Sequence, residues 1–431
     1  MNYGTAVLIQ RRDYDSHNLM DEFKSLAKTA GYEVIGEFDI VSSPSARYGI
    51  SSGKAEEIGT WIEVNTPDVA LYTPSLKSSQ VFRLMELWEI EVRDRTQLIL
   101  EIFDRHAQTQ QAKLQIEQAR LSYELPFERH QIRMRLQKEH TGDRPIAEQI
   151  GAGEDLLNLR IKEIRRRIST IQSKLKGISE SQKLIKKRRI RKGFLEVTLA
   201  GYTNAGKSTL HRSLTGSTVE IADELFTTLS TKAARLDLSG RRTVLSDSVG
   251  FISDLPRELL DSFNTTLMGI ADADVIVLVI DGSDELSEIK RKSQTCFDTF
   301  NEVGINGIPI VIALNKTDLI LNDDLAARIE LLTYYDKPIV PISAAEEVNL
   351  DKLLSEIDIA LPDMHRYSIT LPIGDIGMSV LSWLHEVSEV ENENYTPTAI
   401  EVDAYLTSEV RDRLSKKLPQ GVIYRIGQNK D

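Results

Sequence analysis

Residues 201–208 read Gly-Tyr-Thr-Asn-Ala-Gly-Lys-Ser, the GxxxxGK[ST] spacing of a phosphate-binding loop, and their setting constrains the fold more than the letters do. The apolar, β-branched run Glu196-Val-Thr-Leu-Ala200 precedes them, and a helical stretch over 208–214 follows. A strand that ends in a glycine-rich turn and re-enters as a helix delivers several backbone N–H groups to one point, at the positive end of the helix dipole. That arrangement fits a nucleoside triphosphate. The expected contacts are Gly201, Tyr202, Thr203, Asn204, Ala205, Gly206, Lys207, Ser208 and Thr209, with the Lys207 ammonium a compact charge against the β- and γ-phosphates.

Downstream residues select the base. Asn315-Lys-Thr-Asp318 follows the apolar strand at 310–314 and has the NKxD form. The Asp318 carboxylate is an acceptor-only group, suited to the two adjacent N–H groups on the edge of guanine. Adenine has no such pair and would leave buried acceptors unmatched, which is costly. Asn315 is expected to tie the base loop to the phosphate loop, the stem of Lys316 to cover the base, and Ser343-Ala344 to offer a backbone N–H to the guanine carbonyl oxygen.

Asp247-Ser-Val-Gly250 has the DxxG form, in which Asp247 holds Mg2+ through water and the Gly250 amide senses the γ-phosphate. Leu225-Phe-Thr-Thr-Leu229 brings Phe226 to the nucleotide and supplies Thr227 and Thr228. One of these hydroxyls should complete the magnesium shell with Ser208 and Asp247, and Thr228 is favoured. Four elements in this order at strand ends imply GTP and GDP as ligands, with Lys207, Thr228 and Gly250 as the catalytic set. Phe251 stands where Ras-like proteins carry a water-orienting glutamine, and a phenyl ring cannot orient water. Slow intrinsic hydrolysis, accelerated by a partner or a cation, is the expectation. Asn204 either braces its loop or helps hold K+ beside the phosphates.

The chain of 431 residues alternates strands and helices, so the fold class is α/β: a P-loop nucleotide-binding domain, an N-terminal α/β domain, an antiparallel coiled-coil helical hairpin and a small C-terminal α/β domain. The expected boundaries are 1–97, 98–193, 194–362 and 363–431. A long polar helix is expected from 98 to 139, ended or kinked at Pro126, and a second helix after the Gly151-Ala-Gly153 joint. Leu157, Ile161, Ile164, Ile168, Ile171, Leu175 and Ile178 recur in steps of four and three, the single seam of a coiled coil. In the C-terminal domain a helix is expected over 378–390 and another over 408–418. Gly49-Ile-Ser-Ser-Gly-Lys54 has three residues between its glycines where a phosphate loop has four.

No stretch approaches the roughly 18–20 apolar residues of a membrane span, and the N-terminus lacks the cationic start of a secretory signal, so a cytoplasmic protein is expected. Cys296, the one cysteine, excludes an internal disulfide and a thiolate metal site and reads as a core residue. The net charge of −12 argues against nucleic acid only until its distribution is considered. Residues 160–192 hold about 14 lysines and arginines against Glu163 and Glu180, so this one helical segment is strongly basic within an acidic chain. A dense, one-signed run of this kind fits contact with RNA phosphates.

The phosphate loop continued to Leu210, Leu225-Phe-Thr-Thr-Leu229, and Asp247-Ser-Val-Gly-Phe-Ile252 followed by Asp254-Leu-Pro256 together resemble the HflX GTPases, related to the Obg branch of translation-associated GTPases. The resemblance covers about residues 1–360 and matches the order of domains. It implies a GTPase that binds the large ribosomal subunit and its RNA; some members split stalled ribosomes. Relatives usually carry a GTRGPGE-like stretch between the hairpin helices, here Gln149-Ile-Gly-Ala-Gly-Glu154, and a DTVG that here is Asp247-Ser-Val-Gly250. The threonine pair replaces a more usual Ala-Thr, which favours Thr228 as the magnesium ligand. A GTP-binding scaffold or RNA-assembly factor with little hydrolysis is the alternative, and a monomer is expected.

Overall fold

The computed structural model describes residues 4–107, 109–139, 146–191, 193–216, 233–238, 241–248, 250–252, 270–271, 273–305, 307–418 and 422–425. Strand–helix alternation begins at once: β1 (Thr5–Arg12), α1 (Met20–Thr29), β2 (Glu33–Val41), α2 (Ser52–Asn65), β3 (Val69–Thr73), α3 (Ser78–Trp88), β4 (Glu91–Asp94) and α4 (Arg95–His106). The strands form a parallel sheet in the order β2-β1-β3-β4. β1 is central and covered on both faces, which is why Ala6-Val-Leu-Ile9 is an unbroken apolar run without solvent exposure. Ser51 caps α2 by accepting from the Lys54 amide, so the glycine-flanked segment 49–54 is used as a helix start.

The polar helical region departs from the sequence expectation at three points. It is two helices, α4 and then α5 (Gln110–Glu139), rather than one from 98 to 139. Asp94 caps α4 in a reciprocal box with Gln97 and also accepts from the Tyr123 hydroxyl of α5, so α4 belongs with the N-terminal sheet. α5 continues through Pro126, whose absent N–H forfeits one bond to the Ser122 carbonyl while the turns on either side keep theirs. α6 (Ile146–Arg191) passes through Gly151 and Gly153 without a joint; glycine lowers helix propensity by about 1 kcal/mol, too little to stop a helix of 46 residues. Along α6, Ile164 and Ile171 are buried and Ile161, Ile168, Leu175 and Ile178 half-buried, the periodicity of a seam. Arg167 crosses to Glu117 of α5 at 2.7 Å. The loop 141–145 and the Leu157 side chain lie outside the described residues.

The second sheet is built from β5 (Leu195–Gly201), α7 (Lys207–Thr215), β6 (Ala233–Leu238), β7 (Arg241–Asp247), β8 (Val275–Asp281), α8 (Leu286–Val303), β9 (Ile310–Asn315), α9 (Asn322–Leu332), β10 (Ile339–Pro341) and α10 (Leu350–Ala360). Its order is β10-β9-β8-β5-β7-β6, parallel except for β6. β8 is buried at every residue, and each Val, Ile or Leu there contributes about 1.5–3 kcal/mol of burial.

The third sheet comprises β11 (Met364–Pro372), α11 (Asp375–Val387), β12 (Glu389–Tyr395), β13 (Ala399–Thr407), α12 (Ser408–Lys417) and β14 (Val422–Arg425), in the antiparallel order β12-β13-β11-β14. The β-α-β-β-α-β connectivity with this order is the ferredoxin-like split βαβ arrangement. α11 ends at Val387 rather than 390 because Glu389 onward pairs with β13. Arg242 at the start of β7 donates to the Glu386 carbonyl at 2.6 Å, a cation on the negative end of α11.

Candidate functional site

β5 lies where the sheet order reverses, with β7 on one side and β8 on the other, so the crevice outside its carboxyl end is the ligand position of a doubly wound sheet. The segment 201–206 occupies that point. Lys207, the first residue of α7, is buried and its ammonium turns back to donate to the Gly201 and Tyr202 carbonyls at 3.1 and 2.8 Å. Burial holds its pKa below the usual lysine value, and the nearby Asp247 carboxylate opposes that shift. At Gly250 a β-carbon would stand 3.0 Å from Lys207 Nζ and 2.9 Å from Thr203 Cγ2, so a side chain there would collide with the loop. Ser208 Oγ donates to Asp247 Oδ2 at 2.9 Å, bringing together two hard oxygen donors of the kind that suit Mg2+.

Asn315 closes the other side. Its amide Nδ2 donates to the Ala205 carbonyl and its Oδ1 accepts from the Ala344 N–H, both at 2.9 Å and both buried. The Ala344 amide, expected to face the base, thus has Asn315 as a partner. Gly206 sits at φ 93°, and a β-carbon there would lie 2.2 Å from Asn315 Nδ2, so this glycine is demanded by both backbone and contact. Asp318, in the short 3-10 turn Thr317–Leu319, accepts from the Ser343 hydroxyl at 2.6 Å, and Ser343 Oγ accepts in turn from the Glu346 amide at 3.1 Å. The carboxylate is therefore aimed by the neighbouring loop.

Phe251 faces the core. Its backbone N–H donates to Gly201 and its carbonyl accepts from Thr203 N, while the buried ring packs edge-on against Phe300 at 5.5 Å between centroids. Asn204 is exposed at φ 61° on the rim of the loop. Thr209 follows in the first turn of α7. The structure thus gathers 201–209, Asp247, Gly250, Asn315, Lys316, Asp318, Ser343 and Ala344. Phe226, Thr227, Thr228 and the segment 254–256 lie outside the described residues.

Sequence reasoning missed two features. Asp281, at the carboxyl end of β8, pairs with the Lys316 ammonium at 2.6 Å; the available signal was an acidic residue ending an otherwise apolar buried strand beside the NKxD strand. Tyr202 lies beneath two cations of α8, with Arg291 5.5 Å and Lys292 5.4 Å from its ring centre. Cys296 on the same helix is buried, and burial pushes its thiol up to about 12 although the Lys207 charge opposes this.

Three family models match the chain in sequence: "GTP-binding GTPase N-terminal" over 17–104, "GTP-binding GTPase Middle Region" over 106–189 and "50S ribosome-binding GTPase" over 196–316. Among similar proteins, the GTPase HflX of Thermococcus kodakarensis is 34% identical over 405 residues, spanning 92% of this chain and 90% of that one. The GTPase HflX of Escherichia coli is 34% identical over 334 residues, 75% of each chain. A GTP-binding protein from the archaeon Sulfolobus solfataricus, solved in complex with GDP, is 29% identical with a TM-score of 0.44, covering 82% of this chain and 97% of that one.

Proposed function

We propose, since this chain belongs to the HflX family of GTPases, that it binds GTP and GDP at the carboxyl end of β5, hydrolyses GTP slowly on its own, and acts on the large ribosomal subunit in the cytoplasm. The observation that carries the base assignment is the pair of hydrogen bonds linking Asn315 to Ala205 and Ala344, with Asp318 aimed by Ser343. Phosphate loop and base loop are locked together before ligand arrives, so little ordering remains to be done on binding.

In this reading the 201–209 amides and Lys207 hold the phosphates. On GTP arrival Lys207 exchanges two carbonyl partners for charged oxygens, which restores the favourable state of a buried ammonium. Asp318 takes the paired N–H edge of guanine and Lys316 covers the ring, while the Ala344 N–H stays with Asn315 and braces the base loop. Ser208, Thr228 and Asp247 would hold Mg2+, which when bound would neutralise charge developing on the β- and γ-phosphates. Gly250 offers its amide to the γ-phosphate. Because the Phe251 ring is buried against Phe300, no side chain at that position reaches an attacking water, which is why hydrolysis is expected to depend on a partner.

The ribosomal role draws on the description of the matched 196–316 family and on the basic segment 160–192, where Arg165, Arg166 and Arg167 are exposed. Calorimetry on the full chain with GTP, GDP and ATP tests the site: guanine nucleotides should bind and ATP should not, and equal uptake of ATP would refute it. Phosphate release with and without large ribosomal subunits tests the partner, with acceleration expected. A second reading, a scaffold in which nucleotide only stabilises the fold, is favoured by the buried Phe251 and requires release to stay flat in both conditions. Cosedimentation should weaken steeply with salt and on changing Lys186, Lys187, Arg188 and Arg189 to Glu. Equal rates in potassium and sodium buffers would assign Asn204 to bracing the loop.

A further inference from the structure

We propose that Asp281 is a positioning residue of the nucleotide site, which fixes the Lys316 ammonium and so holds the lysine stem across the face where the base stacks. The inference rests on the guanine-site reading above and adds to it a residue outside the four sequence elements. Lys316 Nζ and Asp281 Oδ2 lie 2.6 Å apart, with the carboxylate buried and the lysine about three-quarters covered. Lys316 itself adopts a left-handed backbone conformation, φ 64° and ψ 36°, which a lysine enters only when its surroundings demand it.

Asp281 is held independently of the lysine. Its other oxygen, Oδ1, accepts from the Ser283 N–H at 3.0 Å and from the Ser283 hydroxyl at 2.6 Å. The turn that carries it is fastened to the base-recognising strand: Asp281 is in register with Asn315, and the Gly282 N–H donates to the Asn315 carbonyl at 2.8 Å. Gly282 has no room for a side chain, since a β-carbon would lie 2.8 Å from that carbonyl oxygen and 2.7 Å from Ile320 Cδ1. From α9, Arg328 donates to the carbonyls of Gly282 at 2.7 Å and Asp284 at 3.2 Å. Two hydrogen bonds to the carboxylate and three to the backbone of its turn therefore fix Asp281 at the end of β8.

A free lysine side chain carries rotamer entropy, which a ligand that stacks on the stem must otherwise remove at the moment of binding. A preset anchor transfers that cost to folding, so the benefit appears as slower nucleotide release. The stem reads the ring face and not its edge. Loss of Asp281 should therefore weaken guanine and xanthine nucleotides by the same factor.

The test is stopped-flow dissociation of a fluorescent GDP from the full chain in Mg2+, for wild type, Asp281→Ala, Asp281→Asn, Lys316→Ala and the double variant Asp281→Ala/Lys316→Ala. Asp281→Ala should release GDP about tenfold faster, the scale set by ordering one lysine, with little change in association rate. Asp281→Asn, which keeps the Ser283 contacts and loses the charge, should be as fast as Asp281→Ala. In the Lys316→Ala background Asp281→Ala should add nothing, whereas a merely structural aspartate would accelerate release in either background. Additive effects, or unchanged release from Asp281→Ala, would overturn the assignment while leaving the guanine site standing. A wild-type chain that fails to bind GDP, or a Lys207→Ala variant that binds GTP as well as wild type does, would instead overturn the guanine site itself and this inference with it.

Discussion

Asn315 and Ala205 are joined by a buried hydrogen bond of 2.9 Å that connects two segments 110 residues apart in sequence. With the second bond from Ala344 N to Asn315 Oδ1, a single side chain sets the distance between phosphate loop and base loop. Asn315→Ala would leave a buried carbonyl and a buried N–H without this partner, at about 1–3 kcal/mol each. The expected result is a lower melting temperature for the nucleotide-free chain and a larger loss in GDP affinity. A variant that melts with the wild type would show that the two loops are held by something else.

The Ser208–Asp247 contact of 2.9 Å leads to a magnesium prediction. Ser208→Ala removes one hydroxyl oxygen and leaves the backbone cradle intact. The Mg2+ concentration giving half-maximal GTP hydrolysis should rise, while GDP affinity measured in EDTA stays near the wild-type value. Equal magnesium titrations for both proteins would remove Ser208 from the metal shell.

Restoring the Ras-like residue at position 251 should fail. The Phe251 ring packs on Phe300 inside the core, so Phe251→Gln would bury an amide where a ring now packs edge-on. A loss of about 3–5 kcal/mol is expected from the cavity and unpaired polar group together. Turnover should not increase, because the side chain at this position is buried against Phe300. A faster GTPase of undiminished stability would show that the segment re-aims readily.

The parts legible in sequence were those where local and tertiary demands agree. β8 and β9 are apolar runs because they are covered on both faces, and the carboxyl ends of β5, β7 and β9 carry the candidate site residues, so strand and chemistry were readable together. Asp281 was not legible because its role depends on register with Asn315 across two strands, a relation that spacing along the chain does not encode. Gly151 and Gly153 misled for the opposite reason: glycine weakens a helix locally, and the neighbouring turns of a long helix outweigh it. The limit of α11 at Val387 was likewise set by pairing of β12 with β13 rather than by any breaker.

Lys207 yields a pH prediction whose sign follows from its burial. In the folded, nucleotide-free chain its pKa lies below the ordinary lysine value of 10.5, because burial penalises the ammonium more than Asp247 favours it. Below the folded pKa, both folded and unfolded chains hold the proton and the burial penalty is present in full. As pH rises from the folded pKa toward 10.5, the folded chain releases the proton first, the unfolded chain binds more protons, and the lysine's contribution to stability rises. Lys207→Met removes the charge and keeps the stem. The nucleotide-free variant should be at least as stable as wild type at pH 7, with the advantage shrinking at alkaline pH, and GTP should no longer raise its melting temperature. Urea titrations at pH 7 and at about pH 9.5, with and without GTP, measure all three. A strongly destabilised variant at pH 7 would mean that the two carbonyl bonds of the ammonium outweigh its desolvation, and that the phosphate loop is held in shape by the lysine before any nucleotide arrives.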